Sequence, residues 1–229
     1  MKNKTICLIA LTALALQPFA GKAQTDDKTW IAKSNNYTKI LLDIDKKYTP
    51  EFGSSQGLAF YDTLISVPTI ANYYAARDDK RHAVELVIEA KRTETNPTLK
   101  QDLDILINHI ALDFRGDNFE IAKKVPFINA TNLVYEGMQT LLDDQTPVER
   151  RQAAVIRLRK YAGLEKGYAP LTSILQERTE LQMKKPGVIY PSKQEMDIAL
   201  SRNASIVTGI EELFKKYKLT GWEPAFATI

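Results

Sequence analysis

Apolar residues recur at three- to four-residue intervals along nearly the whole chain, and almost no stretch alternates with period two. A 3.6-residue period lines such positions up on one face of a helix, so the pattern predicts an all-α protein. The first helix is expected from about Thr29 to Lys47, with Trp30, Tyr37, Leu41, Ile44 and Tyr48 on one stripe. Further helices are expected near 68–93, 97–114, 125–142, 147–162, 169–185 and 193–217, with a short helical turn near 118–123. The result is a single domain of about seven helices arranged as antiparallel hairpins. A loop is expected around Gly53, Ser54, Ser55 and Gly57. The last helix has the clearest buried face, through Met196, Ala199, Ile206, Ile210, Leu213 and Tyr217.

Helix starts are marked by side chains able to accept the free N–H groups of a first turn. Thr146, Pro147 and Glu149 read as one capping box, Ser192 and Glu195 as another, and Asp117 and Glu120 as a third. Ser66 with Pro68, and Asn96 followed by Pro97, are further start signals. There is no internal repeat, and no linker rich in Pro, Gly or Ser divides the chain.

The N-terminus changes the picture of charge and compartment. Lys2 and Lys4 precede the apolar run "ICLIALTALAL", and Gly21 and Ala23 supply small residues for cleavage, so residues 1–23 read as a signal peptide. The run falls short of the ~20 apolar residues that span a bilayer. The expected mature chain, 24–229, is exported to the periplasm or secreted, with no membrane span. Its length favours one domain that buries roughly 70% of its unfolded-chain surface.

The net charge of +3 and pI near 8.8 come from 31 basic and 28 acidic residues. Removing Lys2, Lys4 and Lys22 with the signal leaves a formally neutral chain, which gives no electrostatic ground for binding nucleic acid. Cys7, the only cysteine, also lies in the signal. Disulfides, thiolate ligands and cysteine nucleophiles are therefore excluded from the mature chain.

The histidines, His82 and His109, are the candidates for metal chemistry. If helices 68–93 and 97–114 form a hairpin around Asn96, the two sit at about the same height. Glu85 lies one turn from His82, and Asp113 one turn from His109. Two histidines and two carboxylates are residue types that can ligate a divalent cation. The competing reading is favoured: Asp78, His82, Glu85 and Glu89 share a polar face, apart from the stripe of Ile70, Tyr73, Val84, Val87 and Ile88. His82 is then expected in solvent. His109, flanking Leu99, Leu103, Leu106, Ile110 and Phe114, is expected to be a partly buried structural residue.

Other chemistry is sparse. No His-Glu dipeptide occurs, so H-E-x-x-H is absent, and "HAVEL" carries Leu86 where H-x-x-E-H needs a second histidine. The run from Gly53 to Gly57 matches G-x-S-x-G literally around Ser55, but the elbow needs a preceding strand, and here a helix comes before it. Phosphate-binding loops of the G-x-x-x-x-G-K-[ST] and G-x-G-x-x-G types are missing. Arg150, Arg151, Arg157, Arg159 and Lys160 read as a solvated helix face. Tyr73, Tyr74 and the stripe near Trp30 read as core.

Residues 125–181, from "VPFINATNLVYEGM" through "LLDDQTPVERR" and "RLRKYAGL" to "LTSILQERTEL", resemble the N-terminal part of the bacterial family called domain of unknown function 885. "GLAFYDTLIS", Gly57 to Ser66, is similar to the family's Gly then Tyr-Asp segment, and "LKQDLDILINHI" to its Asp-rich helix. The resemblance implies an exported, all-helical, metallopeptidase-like protein much longer than this chain. In the family the chemistry is carried by a C-terminal His-Glu motif with a further histidine, and nothing here aligns with it. No catalytic residue is therefore carried over, and zinc is expected only in a C-terminal part missing from this sequence.

Three functional expectations follow. In the first, the chain is the N-terminal portion of such a protein, walling one side of a peptide channel and inactive as a hydrolase alone. In the second, it is a stand-alone periplasmic helical module that binds a peptide or protein. The third is an enzymatic site at His82, Glu85, His109 and Asp113. Trp222 and Phe226, on the tail "LTGWEPAFATI", are expected either to fold back on the helices or to be covered by a missing portion.

Overall fold

The computed structural model describes residues 28–229, so the signal-peptide assignment to 1–23 lies outside the described residues. The architecture is all-α: no strand occurs among the described residues, which hold one isolated bridge between Lys124 and Ile189. No described helix is long and apolar enough to cross a membrane.

Helices α1 (Thr29–Tyr48), α3 (Ile70–Thr93) and α4 (Pro97–Lys123) pack together through Leu41, Ala83, Val87, Leu99, Leu103 and Ile110. The α3–α4 hairpin turns at Asn96, whose side chain accepts the N–H groups of Thr98 (2.9 Å) and Leu99 (3.1 Å), as the Asn-Pro step predicts. Within α3 the buried positions are Ala83 and Val87, while Ile88 faces outward. Tyr74 also lies exposed rather than in the core.

A second, larger core gathers α5 (Ala130–Gln139), α7 (Ala153–Tyr161), α8 (Leu171–Met183), α9 (Lys193–Lys216) and α10 (Glu223–Phe226), with the short α6 (Val148–Arg151) leading into α7 outside it. Met138, Leu141, Leu142, Leu158, Ile210 and Phe214 are its centre. Helix α2 (Pro50–Ser55) and the 3-10 turn Ala59–Tyr61 carry the chain from one core to the other, and Ile65 is buried in the second. Gly163, at φ 72°, closes α7: its N–H donates to Lys160 O and that of Leu164 to Arg159 O. A Cβ there would stand 2.6 Å from Pro170, so the left-handed turn and the approach of α8 both require glycine.

Several boundaries differ from the sequence expectation. Helix α4 does not restart at Asp117 but runs on to Lys123, because the α3 side chains grip it from outside. The Tyr73 hydroxyl donates to Asp117 O (3.2 Å), and Arg77 donates to Asn118 Oδ1 (2.8 Å). The expected 125–142 helix starts only at Ala130, capped by Asn129, since Val125 is buried in an extended segment. Residues 50–55 are helix rather than loop. Thr146 makes no cap; its hydroxyl donates to Thr140 O. Thr69, not Ser66, caps α3.

On α9, Phe214 with Ile210 forms the buried face, and Met196 is exposed. The tail folds back: the Trp222 ring stacks on Phe214 with centroids 5.2 Å apart, and Phe226 meets Trp222 edge-on. The box at α9 is complete, Ser192 Oγ accepting from Glu195 N and the Glu195 carboxylate accepting from Ser192 N. Ser192→Ala is expected to cost about 1 kcal/mol. Hydrogen exchange should show the loss in the first turn of α9 before global melting changes.

Candidate functional site

The two histidines stand apart from any converging ligand set. His82 is 85% exposed, with Nδ1 3.5 Å from its own neighbour Glu85, and His109 is 68% exposed, with Nε2 3.8 Å from Asp113. His109 is thus a surface residue, not a partly buried one, because Leu103, Leu106 and Ile110 take the seam. Among the described residues no three His, Cys, Asp or Glu side chains come together as a metal cage. Ser55, centre of the G-x-S-x-G match, ends α2 and donates to Phe52 O.

The polar chemistry concentrates instead where α2 and the segment after it meet α5, α6 and α7. Asp62 is 3% exposed. It receives Arg150 in a two-pronged pair, Nε to Oδ2 at 2.7 Å and Nη2 to Oδ1 at 2.6 Å, and the Ser54 hydroxyl at 2.7 Å. Burial alone would raise the Asp62 carboxyl, but the Arg150 and Ser54 hydrogen bonds outweigh it and hold the carboxyl below the usual aspartate value. The same pairing raises Arg150.

Six residues beyond Arg151, on α7, Arg157 is fully buried. It donates to Gly137 O (2.7 Å) and Tyr61 O (3.0 Å), and its Nε has no partner. Desolvation lowers its pKa, opposed by Tyr161, Glu51 and Asp62. The basic run is therefore no uniform solvated face: Arg157 is interior and Arg150 is engaged with Asp62. Arg157 shares the helical stripe of Ala154, Leu158 and Tyr161, and that register is the signal by which the sequence could have placed it inside.

Next to this lies Glu51, whose carboxylate accepts the Ser66 N–H (2.8 Å), the Ser66 hydroxyl and the Tyr161 hydroxyl. Burial and then the Glu51 charge push Tyr161 well above an ordinary tyrosine, which keeps it a donor. Gly137 makes room for this contact, since a Cβ there would stand 2.5 Å from the Tyr161 oxygen. Sequence reasoning missed Glu51 and Tyr161 as partners, as they are 110 residues apart.

Glu51 and Tyr161 line a cavity of about 250 Å³ together with Phe52, Leu133, Glu136 and Leu171. Neighbouring depressions share its lining along α5: one through Leu133 and Glu136 towards Ile198 and Arg202 of α9, another through Ser55, Glu136 and Thr140 towards Asp143. Phe127 and Ile128 continue the first to a further hollow at Tyr73 and Arg178. The side of α5 thus forms the floor of a groove of adjoining hollows whose apolar walls are interrupted by charged residues, among them Glu136, Glu195, Arg202, Asp143 and Arg150. Comparison with family models, curated proteins and solved structures finds no match.

Proposed function

We propose that this chain is an exported helical domain equivalent to the N-terminal portion of a metallopeptidase-like protein of the kind called domain of unknown function 885, and that it lines a peptide-binding groove. In this reading zinc and hydrolysis belong to a C-terminal part outside this sequence. The observation that carries it is the meeting of the two segments on which the resemblance rests. Asp62, of the Tyr-Asp segment, is clasped by Arg150 of "TPVERR", and Arg157 of "RLRKY" donates to Tyr61 O. Residues that form a family-like pattern in sequence thus share one buried network, whose role is to hold the groove's walls in register.

The groove along α5 supports the peptide part of the reading. Its length, its apolar walls at Phe127, Leu133 and Ile198, and the extended run at 124–129 between α4 and α5 suit an elongated ligand with side chains to seat. The test is fluorescence polarisation of labelled short peptides with the purified 24–229 chain, beside a cleavage assay with and without chelator. Saturable binding without hydrolysis is expected. Chelator-sensitive hydrolysis, or no binding by any peptide, would overturn the proposal.

A further inference from the structure

The cavity bounded by α2, Ser66, α5 and Tyr161 has a charge arrangement that selects its occupant. Two carboxylates line it, Glu51 and Glu136, and no lysine, arginine or histidine does. Glu51 is met by three neutral donors, the Ser66 N–H, the Ser66 hydroxyl and the Tyr161 hydroxyl. These leave part of its acceptor capacity open, because a carboxylate has about four lone-pair sites. The nearby cations are already committed. Arg150 is clasped by Asp62, and Arg157 is turned to the carbonyls of Gly137 and Tyr61. Glu51, Asp62, Arg150 and Arg157 balance one another in charge. The Glu136 carboxylate, without a hydrogen bond or ion pair among the described residues, is left over at the cavity mouth.

Beside Thr49, Ser55, Ser66 and Thr140, the walls carry the apolar side chains of Phe52, Leu133 and Leu171. A ligand that fits both features has a short apolar body and a positive group carrying several N–H donors. A primary ammonium meets that need: its three donors can be shared between Glu136 and Glu51 at the cavity end of the groove.

We infer that this cavity is a receptor for a primary ammonium group attached to a small apolar residue. The inference rests on the reading of the α5 groove as a peptide site and names the part of the peptide it would hold. Two sources share this chemistry, the α-amine of a peptide and the side chain of a lysine within one. A cavity of about 250 Å³ has room for one residue's body beside the amine.

The test uses nuclear magnetic resonance titration of the isotopically labelled chain with leucinamide and with N-acetyl-leucinamide, in which an acetyl group removes the amine's charge, and with 4-methylpentanamide, which lacks the amine and adds no bulk. Leucinamide is expected to bind at least about tenfold more tightly than either and to shift resonances of Glu51, Glu136 and Tyr161. Its affinity should fall about tenfold between pH 7 and pH 9, as the ligand's amine deprotonates near pH 8. Glu136→Gln, an exposed position that disturbs no contact, is expected to weaken leucinamide about tenfold and leave N-acetyl-leucinamide unchanged. Equal binding of leucinamide and 4-methylpentanamide, no binding of leucinamide, or an undiminished Glu136→Gln would overturn the inference.

Peptides separate this result from the groove reading. Free-amine Leu-Ala-Ala-amide binding better than its acetylated form assigns the α-amine, whereas acetyl-Ala-Lys-Ala-amide binding better than acetyl-Ala-Ala-Ala-amide assigns lysine. Peptides that bind regardless of their amines, with leucinamide inert, would keep the groove and remove the ammonium site. Leucinamide binding while every peptide fails would keep the site and remove the peptide function.

Discussion

Asp62→Ala is expected to destabilise the chain by about 3 kcal/mol, because it removes the buried member of a two-pronged pair and leaves the half-buried Arg150 cation without its partner. Arg150 would lose both prongs at 2.6 and 2.7 Å, and the Ser54 hydroxyl would lose its acceptor. At roughly 2–4 °C per kcal/mol for a chain of this size, the midpoint should fall by about 10 °C. A double-mutant cycle with Arg150→Ala should give a coupling of about 1–3 kcal/mol, since each partner removed alone leaves the other stranded.

The pH dependence has a defined sign. The folded Asp62 value lies below the unfolded one, so its contribution is complete above the unfolded value, near pH 4, and is lost as pH falls through the folded value. The wild-type chain should therefore lose stability below about pH 4, and Asp62→Ala should lose less over the same window. A midpoint change of under about 3 °C for Asp62→Ala in heat scans would show that the 54–62 segment is not held by this pair.

What the sequence made legible was local. Asn96 with Pro97, and Ser192 with Glu195, act within one turn of their own helices, so the chain spells them out. The hydrophobic stripes of α1 and α4 likewise follow from period alone, as with Leu41 and with Leu99, Leu103 and Ile110. Illegible features depend on partners far along the chain. The Asp117–Glu120 pattern has the form of a helix start, yet Tyr73 and Arg77, more than 40 residues earlier, bond to its backbone and side chains and keep α4 continuous. Ser66 has the composition of a cap but serves Glu51 instead.

The candidate site was less legible still. His82 and His109 draw attention by type, but type does not place a side chain in a seam; Ala83 and Ile110, their neighbours in sequence, occupy it. The buried network was hidden for the opposite reason. Arg157 was counted with a charged run, whereas its register with Ala154 and Leu158 sets it inside, where it ties α7 to Gly137 and Tyr61. Charge composition predicts exposure only when the helical position agrees with it.

Trp222→Ala is expected to have an effect as large as any single truncation in the second core, about 3–5 kcal/mol. The ring is 5% exposed, stacked on Phe214 with an interplanar angle of 19° and met edge-on by Phe226 at 5.3 Å. Its indole N–H donates to Leu219 O at 3.0 Å. Alanine would open a void between α9 and α10 and leave Phe214 without its stacking partner, a contact worth roughly 0.5–1.5 kcal/mol beyond area alone. The tail reaches this position because Lys218 adopts φ 54°, a left-handed turn that non-glycine residues enter at a cost of about 1–2 kcal/mol. Docking Trp222 must outweigh that cost. Trp222→Phe, keeping a ring but losing the N–H bond, should therefore cost clearly less than Trp222→Ala. A midpoint drop of about 10 °C with an unchanged urea slope is the expected result for Trp222→Ala. A loss below about 1 kcal/mol would mean that residues 219–229 come away from α7 and α9 without weakening the core.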